Sequence, residues 1–365
     1  MSSTQQALNN TRFATLAGIR TQACPNCFLC GSGGERIYHG LRDRLFTAPG
    51  SWNLKKCRNK SCGLLWLDPM PLAEDIGKAY ETYYTHAHED KDFARESLSR
   101  RLIQRIRTGY LARSYGYFPD SSSSTFKLLG VLAYLNPFRR ASLDFSVMHL
   151  PFRPHSRLLE IGCGTGGMLK IMQDLGWLVE GIDFDPIAVE SCRRKCLDVR
   201  LGALEDQVYP ADSFDAITMS HLIEHVPNPQ ALLEKCFRLL KPNGYLSVVT
   251  PHSEALGHRL FGASWFHLDP PRHLNLFAVT SLKRVAENAG FSRVKVVTTI
   301  RDACETLIAS RSIQRTRRFK MGSPHSRIDF ACGKLLQILE WVFLTLGFAV
   351  GEELALTARK PEASR

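Results

Sequence analysis

A short apolar run, Leu158-Leu159-Glu160-Ile161, passes directly into Gly162-Cys163-Gly164-Thr165-Gly166-Gly167 and then into a stretch of helical character, Met168 to Leu175. Strand, glycine turn and helix in that order restrict the fold more than any other feature of this chain. The glycines let the backbone bend sharply and approach a ligand without Cβ contacts. The same alternation continues downstream. Leu178 to Ile182 reads as a strand, Pro186 to Lys195 as a helix, Val199 to Ala203 as a weakly marked third strand and Phe214 to Met219 as a fourth. Pro229 to Leu240 reads as a helix stopped by Lys241-Pro242-Asn243-Gly244, then Tyr245 to Thr250 as a strand and Thr280 to Ala289 as a helix closed by Gly290. Val294 to Thr298 and Glu353 to Thr357 complete seven strands. Strands alternating with helices of this length predict an α/β fold, a doubly wound, mostly parallel sheet.

Asp183, at the end of the second strand, is placed to accept hydrogen bonds from ribose hydroxyls, so turn and carboxylate together describe a nucleoside site. Gly162, Gly164 and Gly167 also satisfy the G-x-G-x-x-G spacing of dinucleotide enzymes, which keeps an NAD-dependent oxidoreductase as an alternative. Glu160 weighs against it. A carboxylate beside the loop repels a pyrophosphate, which needs bare N–H groups and the positive helix end. It suits a ligand carrying an ammonium and a sulfonium, and S-adenosylmethionine has both together with a ribose.

Four segments carry a family resemblance, in order: Glu160-Ile161-Gly162-Cys163-Gly164-Thr165-Gly166; Gly181-Ile182-Asp183-Phe184-Asp185; Ser213-Phe214-Asp215-Ala216-Ile217 running to His221-Leu222-Ile223-Glu224-His225-Val226-Pro227-Asn228-Pro229; and Leu239-Leu240-Lys241-Pro242-Asn243-Gly244-Tyr245-Leu246. Residues 155 to 300 and the final strand resemble the class I S-adenosylmethionine-dependent methyltransferases, particularly the small-molecule group that includes the ubiquinone-type O-methyltransferases. The resemblance implies that Glu160, Gly162, Cys163 and Gly164 surround the methionine part of the cofactor and that Asp183 holds the ribose. It implies further that Phe184 flanks the adenine, Leu204 and Glu205 sit at the adenine edge, and Ser220 and His221 line the pocket floor.

Methyl transfer from a sulfonium is an in-line displacement, so the protein must align the acceptor and, for a hydroxyl, remove its proton. His225 is the first candidate for that base and His273 its competitor. The alternative for each is structural, with His225 capping the helix after strand four and His273 ordering a loop. His273 lies in Trp265-Phe266-His267-Leu268-Asp269-Pro270-Pro271-Arg272-His273-Leu274, similar to a segment that in relatives covers the acceptor pocket. His221 to His225 does not have the H-E-x-x-H spacing of zinc proteases.

Eleven cysteines are present, and Cys24, Cys27, Cys30, Cys57 and Cys62 cluster near the N-terminus. Met1 to Arg20 holds no apolar run of the signal-peptide kind, so clustered cysteines read as metal ligands before disulfides, in a cytoplasmic protein. Two short pairs on separate turns can close a tetrahedral thiolate site around Zn2+. Cys27 and Cys30 form the first knuckle and Cys57 and Cys62 the second, leaving Cys24 over, with exchange of Cys24 for Cys27 as an alternative. A fully thiolate-ligated zinc has no open position, which makes its expected role structural. The run from Cys62 to Pro71, followed by Tyr80, Tyr83 and Tyr84, is similar to a zinc-knuckle leader that precedes the methyltransferase domain in some bacterial members of the group. The tyrosines themselves read as packing.

The chain as a whole is basic, with a net charge of +12. The expected organisation is a polar tail (1–22), a cysteine module (23–70), a basic helical connector (71–150), the methyltransferase core (151–300), a basic and apolar insertion (301–350) and the final strand (351–365). In the connector, Leu98, Leu102, Ile103, Ile106 and Tyr110 form an apolar stripe beside Arg100, Arg101, Arg105 and Arg107. Leu335 to Val350 in the insertion is apolar apart from Gln337, Glu340 and a few small or hydroxyl residues. It is shorter than the roughly 20 residues that span a bilayer. It reads as a core or dimer helix, or as a patch that lies with the connector on anionic lipid at the inner face of the membrane. The acceptor is then a small or lipid-linked hydroxyl compound. No aromatic-interleaved basic strand of an RNA module is present, so nucleic acid is the weaker partner class. A cofactor-binding scaffold without turnover is the competing class, and the residues alone set no oligomeric state.

Overall fold

The computed structural model describes residues 14–16, 18–81, 98–118 and 124–362. Tyr83, Tyr84 and residues 1–13 of the polar tail lie outside them. Seven strands form one sheet: β1 (Arg157–Ile161), β2 (Leu178–Asp183), β3 (Val199–Leu201), β4 (Phe214–Ser220), β5 (Leu240–Pro251), β6 (Ser292–Thr299) and β7 (Glu353–Arg359). Their order across the sheet is β3-β2-β1-β4-β5-β7-β6. β1 to β5 run parallel, and β7 is antiparallel to both of its neighbours. Two of the helices between them start at a side-chain cap with proline after it. Asp185 accepts from the Ile187 N–H and Asn228 from the Ala231 N–H, each followed by proline at the first helical position.

Alternate residues of the strands feed two cores. Leu158 joins a core with Leu169, Met172, Val189 and Leu111. Leu159 and Ile161 join the other, with Leu232, Leu233, Leu282 and Val285. That second core continues without a break into the cysteine module through Trp52, Leu54 and Leu67. There, strands Gly34–Leu41, Trp52–Cys57 and Leu65–Leu67 form a sheet whose fourth member, Asn275–Leu276, comes from the other half of the chain. The fully buried Arg272 guanidinium bridges the same two parts, reaching Asp43 at 2.9 Å and Asp269 at 2.5 Å.

Two amphipathic segments differ from the expected pattern. In helix Leu98–Tyr115 the stripe is covered only at its C-terminal end: Tyr110 and Leu111 are buried, whereas Leu102 and Ile103 are exposed. Helix Arg327–Thr345 is inverted. It buries Gln337 and Glu340, which bond the Ile300 carbonyl and the Glu352 N–H at 2.9 Å each, and exposes Leu335, Ile338, Leu339, Trp341 and Val342. Among the described residues no helix is long and apolar enough to cross a membrane.

Candidate functional site

At the C-terminal ends of β1, β2 and β4 lies a cavity of about 160 Å3 lined by Gly162, Gly164, Asp183, Phe184, His221 and His225, with Tyr80 and Leu222 beside them. The turn needs glycine at Gly162, where φ is +72° and a Cβ would stand 2.9 Å from Leu222. The Asp183 carboxylate braces the turn, accepting from the Gly164 N–H at 2.7 Å and the Asp185 N–H at 2.9 Å. Glu160 is buried behind it, and among the described residues its Oε2 has no hydrogen-bond partner. Burial and the neighbouring Cys192 and Asp183 push its carboxyl up to about 8.

Other expected site residues stand elsewhere. The Cys163 side chain packs over Gly181 in the core, so only its backbone belongs to the turn. Leu204 is a core residue and Glu205 is exposed, and neither lines the cavity; nor does Ser220, at the end of β4.

A second cavity of about 580 Å3 shares His221 and His225 with the first, and adds His267, His273 and Glu353. The His225 Nδ1 lies 3.1 Å from the Arg272 carbonyl and 2.8 Å from the Tyr80 hydroxyl. A carbonyl only accepts, so the Arg272 contact is a hydrogen bond in the tautomer that carries its proton on Nδ1, and that tautomer keeps the Nε2 lone pair. Burial and the nearby His273 lower the His225 pKa to about 4, leaving the ring neutral at pH 7. His273 packs edge-on at 4.6 Å, held by its Nδ1 to the His267 carbonyl at 2.6 Å. His221 is the opposite case. Burial alone would lower its pKa, but Glu224 at 3.4 Å and Glu353 at 2.9 Å outweigh it and raise the value to about 10. The site thus sets a neutral histidine beside a cationic one.

Residues 135–296 match a family model described as a methyltransferase domain. Ubiquinone biosynthesis O-methyltransferases are among the similar proteins. That of Xanthomonas campestris pv. campestris (strain B100) is 35% identical over 140 residues, covering 36% of this chain and 57% of its own. That of Xylella fastidiosa (strain 9a5c) is 37% identical over 124 residues, covering 32% and 48%. The chain thus spans about half the length of these curated relatives. Over residues 135–296 this chain carries a methyltransferase domain. Among solved structures, a SAM dependent methyltransferase from Archaeoglobus fulgidus aligns over 63% of this chain and 99% of its own, at 22% identity and a TM-score of 0.43.

Against the methyltransferase domain the cysteine module presents four thiols, Cys27, Cys30, Cys57 and Cys62, whose sulfurs lie within 4.8 Å of one another. Cys27 and Cys62 are 3.8 Å apart and Cys30 and Cys57 3.4 Å. Tetrahedral zinc with Zn–S bonds of about 2.3 Å requires sulfurs roughly 3.8 Å apart, so the cluster fits that ion. Cys24 stays outside it, its N–H bonded to Asp68 and its carbonyl to the Trp66 indole.

Three residues of the methyltransferase site were not anticipated. Tyr80 reaches in from the connector, Glu353 from the last strand, and Arg301 holds Glu353 through two of its nitrogens. The pair Glu352-Glu353 at the start of an otherwise apolar buried strand was the one signal in the sequence.

Proposed function

We propose that this chain is an S-adenosylmethionine-dependent methyltransferase that methylates a hydroxyl of a small or lipid-linked acceptor held in the histidine-lined cavity. One observation carries the reading: a buried carboxylate oxygen, Glu160 Oε2, without a partner beside a glycine turn braced by a ribose-type aspartate. An unpaired buried carboxylate is costly, and a cationic ligand is what relieves it. Gly162 and Gly164, without side chains, let the methionine end approach the turn closely, Asp183 takes the ribose, and Phe184 offers an adenine face. When bound, the cofactor supplies the activated methyl group. His225, neutral and with Nε2 unprotonated, takes the acceptor's proton, and the adjacent Glu224 carboxylate stabilises the imidazolium that forms. His221, cationic and fixed by Glu224 and Glu353, orients the acceptor oxygen.

Calorimetric titration with S-adenosylmethionine, S-adenosylhomocysteine and NAD tests this directly. The expected result is micromolar binding of the two sulfur nucleosides, lost on Asp183→Ala, and none of NAD. Silence from both sulfur nucleosides overturns the reading.

The cysteine cluster is proposed to hold a structural zinc. Purified protein should contain close to one zinc per chain by elemental analysis, and Cys57→Ser should lower that content and the melting temperature together. Wild-type protein with no metal and unchanged melting in chelator would dismiss the ion.

A peripheral site of action at an anionic membrane is supported by the inverted helix. Trp341, Phe330, Leu335, Leu346 and Phe348 are exposed on this segment, with Lys334 lying over Phe330 and over Phe138 of the connector. Apolar and aromatic anchors beside cations are the composition of an interfacial helix. Co-sedimentation with phosphatidylglycerol vesicles at low salt, abolished by Trp341→Glu with Leu335→Glu, is expected; equal recovery of the variant with vesicles would remove the membrane from the reading.

A further inference from the structure

The acceptor cavity does not end at the histidines. It shares Leu45, Phe46, Phe319, Met321 and His325 with a larger groove of about 1150 Å3, bounded on one side by the loop around Arg44 and on the other by the insertion between β6 and β7. The two walls are tied together, since the Phe319 N–H donates to the Arg44 carbonyl at 3.0 Å. Arg44, Arg315, Arg318 and Lys320 line this groove, against a single carboxylate, Asp329. That carboxylate is already shared by Arg311 and Arg315 at 3.6 and 3.7 Å.

Arg44 is the informative member. It is half-buried, its Nη1 donates to the Ala263 carbonyl at 2.7 Å, and no carboxylate of the described residues lies within 4 Å of it. Burial and the neighbouring Arg317 both act against its charge. A guanidinium kept half-buried among other cations is unfavourable unless an anion joins them, and its planar fork matches phosphate oxygens. The groove runs into the acceptor cavity, which in turn meets the cofactor cavity at His221 and His225.

We propose that the acceptor carries a phosphate or diphosphate ester, gripped in this groove by Arg44, Arg318 and Lys320 while the hydroxyl to be methylated reaches the histidines. The assignment rests on the methyltransferase reading above for the role of the histidines, but the anion site can be measured by itself. Inorganic pyrophosphate is titrated into the full-length protein by calorimetry, with sodium sulfate at matched ionic strength as control, and S-adenosylhomocysteine is titrated in parallel. Wild-type protein is expected to bind pyrophosphate at least tenfold more tightly than sulfate. The exposed charge reversals Arg318→Glu with Lys320→Glu should weaken pyrophosphate tenfold or more and move S-adenosylhomocysteine affinity less than twofold. Arg44→Ala should act in the same direction.

Pyrophosphate binding no tighter than sulfate, or unchanged by the reversals, overturns the proposal even where S-adenosylhomocysteine binds normally. Loss of S-adenosylhomocysteine binding by the wild type instead overturns the methyltransferase reading. Two further ligands separate the sources of the anion. Farnesyl diphosphate binding more tightly than uridine diphosphate assigns a lipid-linked acceptor, and the reverse order assigns a nucleotide-linked one.

Discussion

Replacing Glu160 by glutamine should weaken S-adenosylmethionine binding roughly tenfold to a hundredfold, the loss expected when a charge-assisted hydrogen bond of about 1.5–3 kcal/mol is removed. The same change should make the ligand-free protein more stable at neutral and alkaline pH. The direction of the shift sets the sign. In the folded chain the carboxyl titrates near 8, above the ordinary 4.5. The protonated form is therefore the one the fold favours, and the group's contribution, complete below pH 4.5, is lost as pH rises from 4.5 through 8. Glutamine cannot ionise and removes that loss. Thermal melts of both proteins at pH 5 and pH 8, with calorimetry at pH 7.5, would show the two effects. Unchanged cofactor affinity in the glutamine variant would mean that this carboxylate faces something other than the ligand.

The second large effect is expected at Arg272. Its guanidinium has no exposed surface and lies between the carboxylates of Asp43 and Asp269. Arg272→Leu leaves two acids buried without their cation, which costs about 3–5 kcal/mol when one partner of a buried pair is removed. Urea unfolding should register that loss, and a change below about 1 kcal/mol would show that the triad contributes little. Despite the burial that opposes it, Arg272 holds the Asp43 carboxyl below its ordinary value of 3.8. The contribution from this pair is thus present above that pH and lost as pH falls through the lowered value.

Much of the methyltransferase core could be read because its signals are local. The turn at Gly162 and Gly164 is fixed by backbone geometry that only glycine takes easily, and the Asp-Pro and Asn-Pro steps at 185–186 and 228–229 are helix starts in themselves. The short third strand was weak in sequence and is brief in the fold, Val199–Leu201. Leu204 and Glu205, just beyond that strand, miss the cavity because the chain turns there into a single 3-10 turn with Leu204 inward. Cys163 shows another limit: residue order places it in the glycine turn, but not which way its side chain points. Which distant residues meet left no trace of its own. Arg272 finds Asp43 across 229 positions and His221 finds Glu353 across 132. The inverted helix is the same problem in one dimension. Its periodicity tells that it has two faces, and only the neighbouring Ile300 and Glu352 decide that the polar one turns inward.

The pairing of Leu65–Leu67 with Asn275–Leu276 also bears on how the chain can be divided. A fragment cut at residue 135, where the family match begins, would lose the strands that cover this edge. Leu274, Leu276 and Phe277, now fully enclosed, would stand open to water along a bare row of backbone donors and acceptors. Such an edge recruits other chains, so the excised C-terminal part should self-associate. In the intact chain that edge stays covered only while the cysteine module keeps its fold, which ties the solubility of residues 135–296 to the packing around four N-terminal thiols.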